Sequence, residues 1–239
     1  MSAPCRSLSR RLDGFCTYPV SYWGFVSLLL ITALVTYGFQ LFTFNLSVDE
    51  ELVEVFGSNG MALNWLQIGR WFLYLLAKYV VPYPVVPTVP VAIFLLSYVA
   101  GLFTIFYTWS GKFTFRHVVA SALAISFPSL IYQLSFSMNY GVGIGFFLAA
   151  LGFFLQLSTE SHRRHFYSAV LFGCSIGSYQ SLLLVPIVAF FVLALTSIAG
   201  AEGSDLRRIS SNLLRQFGGL LLSLVGALTF YFLVWKGLL

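Results

Sequence analysis

The sequence predicts an all-α polytopic membrane protein of about seven transmembrane helices, and three observations predict it. First, 59% of the 239 residues are hydrophobic and only 9% are charged, against about 25% charged in ordinary soluble domains. Second, long apolar runs follow one another with short polar breaks between them, at the length of about 20 residues that a helix needs to cross a bilayer. Third, the basic residues fall in alternate breaks, as the positive-inside rule requires. A soluble all-α chain with so little charge could not cover its own surface. In lipid, by contrast, helices satisfy their own backbone hydrogen bonds.

Residues 1–21 form a basic N-terminal tail, with Arg6, Arg10 and Arg11. It lacks a small-residue cleavage site before the apolar run, so an uncleaved anchor is expected rather than a signal peptide. Residues 22–239 form the transmembrane domain. Span one covers about 22–44, and a first external loop occupies about 45–87. Spans two, three and four cover about 88–109, 117–134 and 140–157. The stretch from Ser168 to Ala199 is too long for one crossing, and the polar break Ser178-Tyr179-Gln180-Ser181 divides it into two short spans. Span seven is about 217–235. With the N-terminus cytosolic, the inner segments carry Arg6, Arg10, Arg11, Lys112, Arg116, Arg163, Arg164, Arg207, Arg208 and Arg215, which is ten of thirteen basic residues. Arg70, Lys78 and Lys236 remain outside. Counting 168–199 as one span, or Met61–Val81 as a crossing, breaks this distribution.

The first external loop holds the chain's densest charge. Asp49, Glu50, Glu51 and Glu54 are four of its eight acidic residues. Ser47-Val48-Asp49-Glu50 fits a helix capping box, Val48, Leu52, Val55 and Phe56 line one side, and Gly57 ends the helix. The acids therefore have a structural explanation as a capped interfacial helix, beside a reactive one. Met61–Val81 is expected as a second helix that lies along the outer interface or dips into it, because Asn64, Gln67, Arg70, Tyr74 and Lys78 recur every three or four positions. Trp65 and Trp71 suit that interface. The Pro-rich YPVVPTVP that follows cannot be regular helix and forms a stiff link into span two.

Two further outward segments carry polar and aromatic groups. Tyr132, Gln133, Asn139 and Tyr140 lie at the turn between spans three and four, and Tyr179 and Gln180 at the break between spans five and six. Acid, cation, amide and aromatic groups on one face can make a site for a sugar and a phosphate. The three cysteines, Cys5, Cys16 and Cys174, have neither redox nor metal spacing. His117, His162 and His165 read as interfacial polar residues in loops. No cofactor is assigned, and the sequence leaves a divalent metal open without naming ligands for one. The net charge of +5 is accounted for by topology, so no nucleic-acid partner is implied.

NLSVDEELVEVFG, WLQIGRW, FPSLIYQLSFSMNYGVGIGFFL and GSYQS resemble the serotype-converting O-antigen glucosyltransferases, polytopic bacterial inner-membrane enzymes of the GT-C superfamily. The resemblance spans roughly Asn45 to Ser181. It implies a core of about seven helices, two interfacial helices between the first two spans, and an acidic motif in the first external loop, where Asp49 and Glu50 stand. Such enzymes are usually longer, so this chain is expected to be a fragment or a version without the later helices and acceptor-binding region. The implied donor is a polyprenyl-phosphate sugar, with glucose as the expected sugar. The implied acceptor is a lipopolysaccharide O-antigen or similar surface glycan on the periplasmic face. No nucleotide enters, in keeping with the lack of a P-loop or Rossmann glycine pattern.

The implied chemistry needs a carboxylate base for the acceptor hydroxyl and a cation for the departing phosphate. Asp49 is the expected base, with Glu50 as second choice, and Arg70 the expected phosphate contact, with Lys78 after it. Gln67, Trp71, Tyr132, Gln133, Asn139, Tyr140, Tyr179 and Gln180 complete the expected substrate-binding set. A single displacement implies inversion. The competing non-enzyme reading is a transporter or flippase for a lipid-linked sugar, which expects ionisable residues along a path inside the spans; the charges here sit at span ends.

Overall fold

The computed structural model describes residues 17–42, 58–80, 88–127, 140–158, 161, 163–199 and 206–239. Helices α1 (Tyr22–Phe42), α2 (Ser58–Gln67), α3 (Trp71–Tyr79) and α4 (Thr88–Ser110) come first, then α5 (Phe115–Ile125), α6 (Tyr140–Ser158) and α7 (Arg163–Ser178). A 3₁₀ turn at Gln180–Leu183 leads into α8 (Leu184–Ala199), and α9 runs from Leu206 to Leu238. Among the described residues, two short strands, β1 (Pro19–Val20) and β2 (Phe113–Thr114), pair antiparallel with Pro19 opposite Thr114. The chain is an all-α membrane protein apart from this pair.

Among the described residues, five segments are long and apolar enough to cross a membrane: Tyr22–Phe39, Thr88–Ser110, Tyr140–Ser158, Gln180–Ala199 and Arg207–Leu238. This is fewer than the seven expected, and the difference lies in spans three and five. Helix α5 ends at Ile125, and the rest of the expected 117–134 span lies outside the described residues. Helix α7 has 16 residues, roughly 24 Å of helix. It begins with Arg163, Arg164 and His165, so it is too short and too polar to be counted with the others. Its buried face is Ser168, Ala169, Phe172, Gly173, Ser175, Ile176, Gly177 and Ser178, and it packs between α6 and α9. The break between α7 and α8 falls where the sequence places it, at Tyr179 and Gln180. Helix α9 begins earlier than the expected residue 217, because Arg207, Arg208 and Arg215 sit on an exposed helical extension.

Small residues let the core helices approach closely. Lipid gives apolar helices no hydrophobic reason to associate, so close backbone packing and interhelical hydrogen bonds take over that role. A Cβ at Gly143 of α6 would stand 2.6 Å from the Phe94 carbonyl oxygen of α4, and one at Gly173 of α7 would stand 3.1 Å from the Ala227 carbonyl of α9. Between α6 and α7, the Ser168 hydroxyl donates to the Gly152 carbonyl at 2.9 Å.

The histidines differ from expectation. His117 is the third residue of α5, and its Nδ1 accepts from the Thr114 backbone N–H at 3.2 Å, capping the helix. His165 lies in α7, 3.3 Å from both Gln156 and Ser223, and the Ser223 hydroxyl donates to Gln156 Oε1 at 2.9 Å. Both are helical and bonded rather than loop residues, while His162 lies outside the described residues.

These contacts order the helices into two ends. At one end lie β1, β2, the start of α7 and the start of α9. At the other lie α2, α3, the starts of α4 and α6, the α7–α8 break and the C-terminus of α9. Lys112, Arg116, Arg163, Arg164, Arg207, Arg208 and Arg215 belong to the first end, and Arg70, Lys78 and Lys236 to the second.

Candidate functional site

The candidate site is built on the turn between α2 and α3, which corrects the expectation of one helix over Met61–Val81. Gly69 takes φ +85°, open to glycine and disfavoured for side chains with a Cβ. The Gly69 N–H donates to the Leu66 carbonyl at 3.1 Å and the Arg70 N–H to the Trp65 carbonyl at 2.7 Å. That pairing is a Schellman turn, which satisfies the carbonyls a helix leaves unpaired at its C-terminus. Distant side chains complete it. Trp235 Nε1 of α9 donates to the Leu66 carbonyl at 2.7 Å, and Gln180 Nε2 of the α7–α8 break donates to the Ile68 carbonyl at 2.8 Å. A Cβ on Gly69 would overlap the Tyr231 hydroxyl and lie 3.2 Å from Gln180 Nε2.

Arg70 follows directly, at the N-cap position of α3, and no side chain caps that helix. The first N–H groups of a helix have no intrahelical partner, and they make its N-terminus electropositive. The Arg70 guanidinium carbon lies 4.4 Å from the centroid of the Tyr179 ring, within cation–π range. Its Nε is buried with no hydrogen-bond partner among the described residues.

The other expected residues fall in different places. Trp71, at 2% exposure, packs edge-on to Phe72 and Phe230, and a Cβ at Gly177 would stand 2.6 Å from its Cε2. Trp65 is also buried. Both tryptophans therefore face protein, where the sequence pointed to the interface. Gln67 is exposed at the end of α2. Lys78 is exposed at the far end of α3, about 12 Å along the chain axis from Arg70. Its Nζ donates to the Tyr74 hydroxyl at 3.1 Å, and hydrogen bonds with Tyr74 and Tyr79 hold its pKa above the usual lysine value. Tyr140 is buried at the first position of α6, one residue before Gly141, where a Cβ would meet Leu73 of α3.

The structure thus brings Arg70, Tyr179 and Gln180 together around the turn, while Trp71 is buried against Phe72 and Phe230. It leaves Lys78 apart. Asp49, Glu50, Tyr132, Gln133 and Asn139 lie outside the described residues, as do Glu51 and Glu54. Sequence reasoning missed Tyr231 and Trp235. Their spacing, four residues apart at the end of the last span, was a usable signal, but it is shared by any aromatic belt at a membrane surface.

A family model described as Glucosyl transferase GtrII matches residues 38–238. Comparison with curated proteins and with solved structures returns no match. Because the matched stretch runs from within α1 to the end of α9, the chain belongs to the GtrII glucosyltransferases, membrane glycosyltransferases of O-antigen modification.

Proposed function

We propose that this chain transfers a glucosyl group from a polyprenyl-phosphate donor to an O-antigen or similar surface glycan, with inversion, on the periplasmic face of the bacterial inner membrane. The observation that carries this reading is Arg70. It stands at an uncapped helix N-terminus with its guanidinium over Tyr179 and its Nε unpartnered among the described residues. Helix N-termini favour phosphate through their free amides and dipole, and an arginine fork matches two phosphate oxygens. A buried N–H without an acceptor costs about 1–3 kcal/mol, and more when charged, which a bound anion would offset.

Asp49 acts as base, with Glu50 as second choice. It takes the proton of the acceptor hydroxyl as that oxygen bonds to the anomeric carbon. The bond from that carbon to the phosphate oxygen breaks, and the polyprenyl phosphate leaves with an added negative charge. Arg70 and the first amides of α3 stabilise that charge. One displacement at the anomeric carbon inverts it. The isoprenoid tail remains in lipid, so the reaction needs no nucleotide pocket.

Purified enzyme in proteoliposomes is expected to glucosylate an O-antigen acceptor when given polyprenyl-phosphate glucose, and not when given UDP-glucose alone. Equal transfer from the nucleotide sugar, or a product with retained anomeric configuration, would contradict the reading.

The orientation has its own test. The seven described basic residues of the β1–β2 end support a cytosolic placement of that end under the positive-inside rule, with the α2–α3 end outside. In an enzyme with Cys5, Cys16 and Cys174 replaced, a cysteine at Ser58 or Ser137 is expected to react with an impermeant thiol reagent added to intact, outer-membrane-permeabilised cells. A cysteine at Ser161 is expected to stay unlabelled until the inner membrane is opened; its labelling from outside would reverse the assignment.

A further inference from the structure

The turn that carries Arg70 is not held by its own sequence alone. Helix α2 has 10 residues, shorter than the roughly 12–15 at which isolated helices are even marginal in water. Gly69 favours a Schellman end there, but glycine is also free to take other backbone conformations, so the local turn does not by itself fix where Arg70 points. Two side chains from far along the chain close it. Gln180, 112 residues from Ile68, and Trp235, 169 residues from Leu66, donate to carbonyls of the turn and of the last turn of α2. Tyr179, next to Gln180, meets the Arg70 guanidinium. One short segment, Tyr179-Gln180, therefore holds both the backbone before Arg70 and its charged head.

We infer that Gln180 and Trp235 are positioning residues for Arg70: by binding the Ile68 and Leu66 carbonyls they set where the guanidinium meets the donor phosphate. The inference rests on the reading of Arg70 as the phosphate-holding group. It gives Gln180 a supporting role, because one N–H of its amide donates to the turn. It also adds Trp235, whose indole N–H has a role beyond that of a membrane-belt aromatic. An ångström of displacement in a positioning group can cost on the order of a hundredfold in rate, so loss of either hydrogen bond acts at a distance from the chemistry.

The test is a double-mutant cycle in the reconstituted enzyme, read as kcat/KM for polyprenyl-phosphate glucose, with acceptor KM and a detergent melting curve beside it. Gln180→Met keeps length without the N–H, and Trp235→Phe keeps an aromatic ring without the N–H. Each is expected to lower donor kcat/KM by roughly ten- to a hundredfold, with acceptor KM unchanged. In an Arg70→Ala background the same substitutions are expected to have almost no further effect, which a merely structural role would not produce. Gln180 is exposed, so Gln180→Met carries the cycle alone if Trp235→Phe does not fold. Full additivity with Arg70→Ala, or wild-type kinetics for Gln180→Met and Trp235→Phe while Arg70→Ala is impaired, would overturn this inference and leave the Arg70 reading intact. Wild-type donor kinetics for Arg70→Ala would remove that reading, and the inference with it.

Discussion

Asp49→Asn is expected to abolish glucosyl transfer while the protein still folds and inserts. The substitution keeps the size of the side chain and removes only its ability to accept a proton, and a positioned base contributes about 10²–10⁴-fold to such a reaction. The neighbouring carboxylates supply the control. If Glu50 serves mainly as the acidic member of the Ser47 capping box, Glu50→Gln is expected to be mild, since glutamine can still reach back to the Ser47 N–H. The measurement is turnover with polyprenyl-phosphate glucose in the complete enzyme, beside its yield in membranes. An active Asp49→Asn enzyme would exclude Asp49 as the base. Activity lost in Glu50→Gln alone would transfer the role to Glu50.

Arg70 carries the second large effect. Loss of hydrogen bonds to a charged group typically costs about 1.5–3 kcal/mol, so Arg70→Ala is expected to weaken donor binding and slow transfer by roughly ten- to a hundredfold. Arg70→Lys is expected to fall well short of wild type. Lysine keeps the charge but loses the planar fork and the flat face that lies over Tyr179. The competing explanation is an exposed ion pair with Glu51 or Glu54. Such pairs contribute at most about 1 kcal/mol, so under that explanation both variants keep their donor affinity. Donor binding and turnover, with melting curves for both variants, separate the two. Unchanged affinity and rate in both would move the phosphate contact to Lys78 or to a metal.

Much of the fold was legible because its causes are local. Spans one, two and four and the α7–α8 break follow from where apolar runs begin and where polar residues interrupt them, and a residue's transfer into lipid depends little on its distant neighbours. The helix over Met61–Val81 misled for an equally physical reason. A polar residue every three or four positions is the mark of an amphipathic helix, and a single internal glycine costs only about 1 kcal/mol there. That is too little for sequence reading to predict a break. In the fold, Gly69 ends α2 in a Schellman turn whose carbonyls also accept from Trp235 and Gln180, and neither partner is near it in the chain.

The same division runs through the site. Arg70 was a candidate from sequence, because an arginine on a segment expected outside goes against the charge bias of membrane loops. Its stacking on Tyr179, the burial of Trp65 and Trp71, and the support from Trp235 were not. Nor did helical periodicity reveal the close faces of α6, α7 and α9. In a bilayer both the lipid-facing and the protein-facing sides of a helix are apolar, so hydrophobicity does not tell them apart. The sequence by itself determined a membrane-embedded helical chain, the division of its longest apolar stretch, and the segments between spans that hold its candidate polar groups. Only the tertiary structure decided which of those groups meet, because the contacts that gather them join residues more than a hundred positions apart through hydrogen bonds and small-residue packing, neither of which leaves a periodic trace in the sequence.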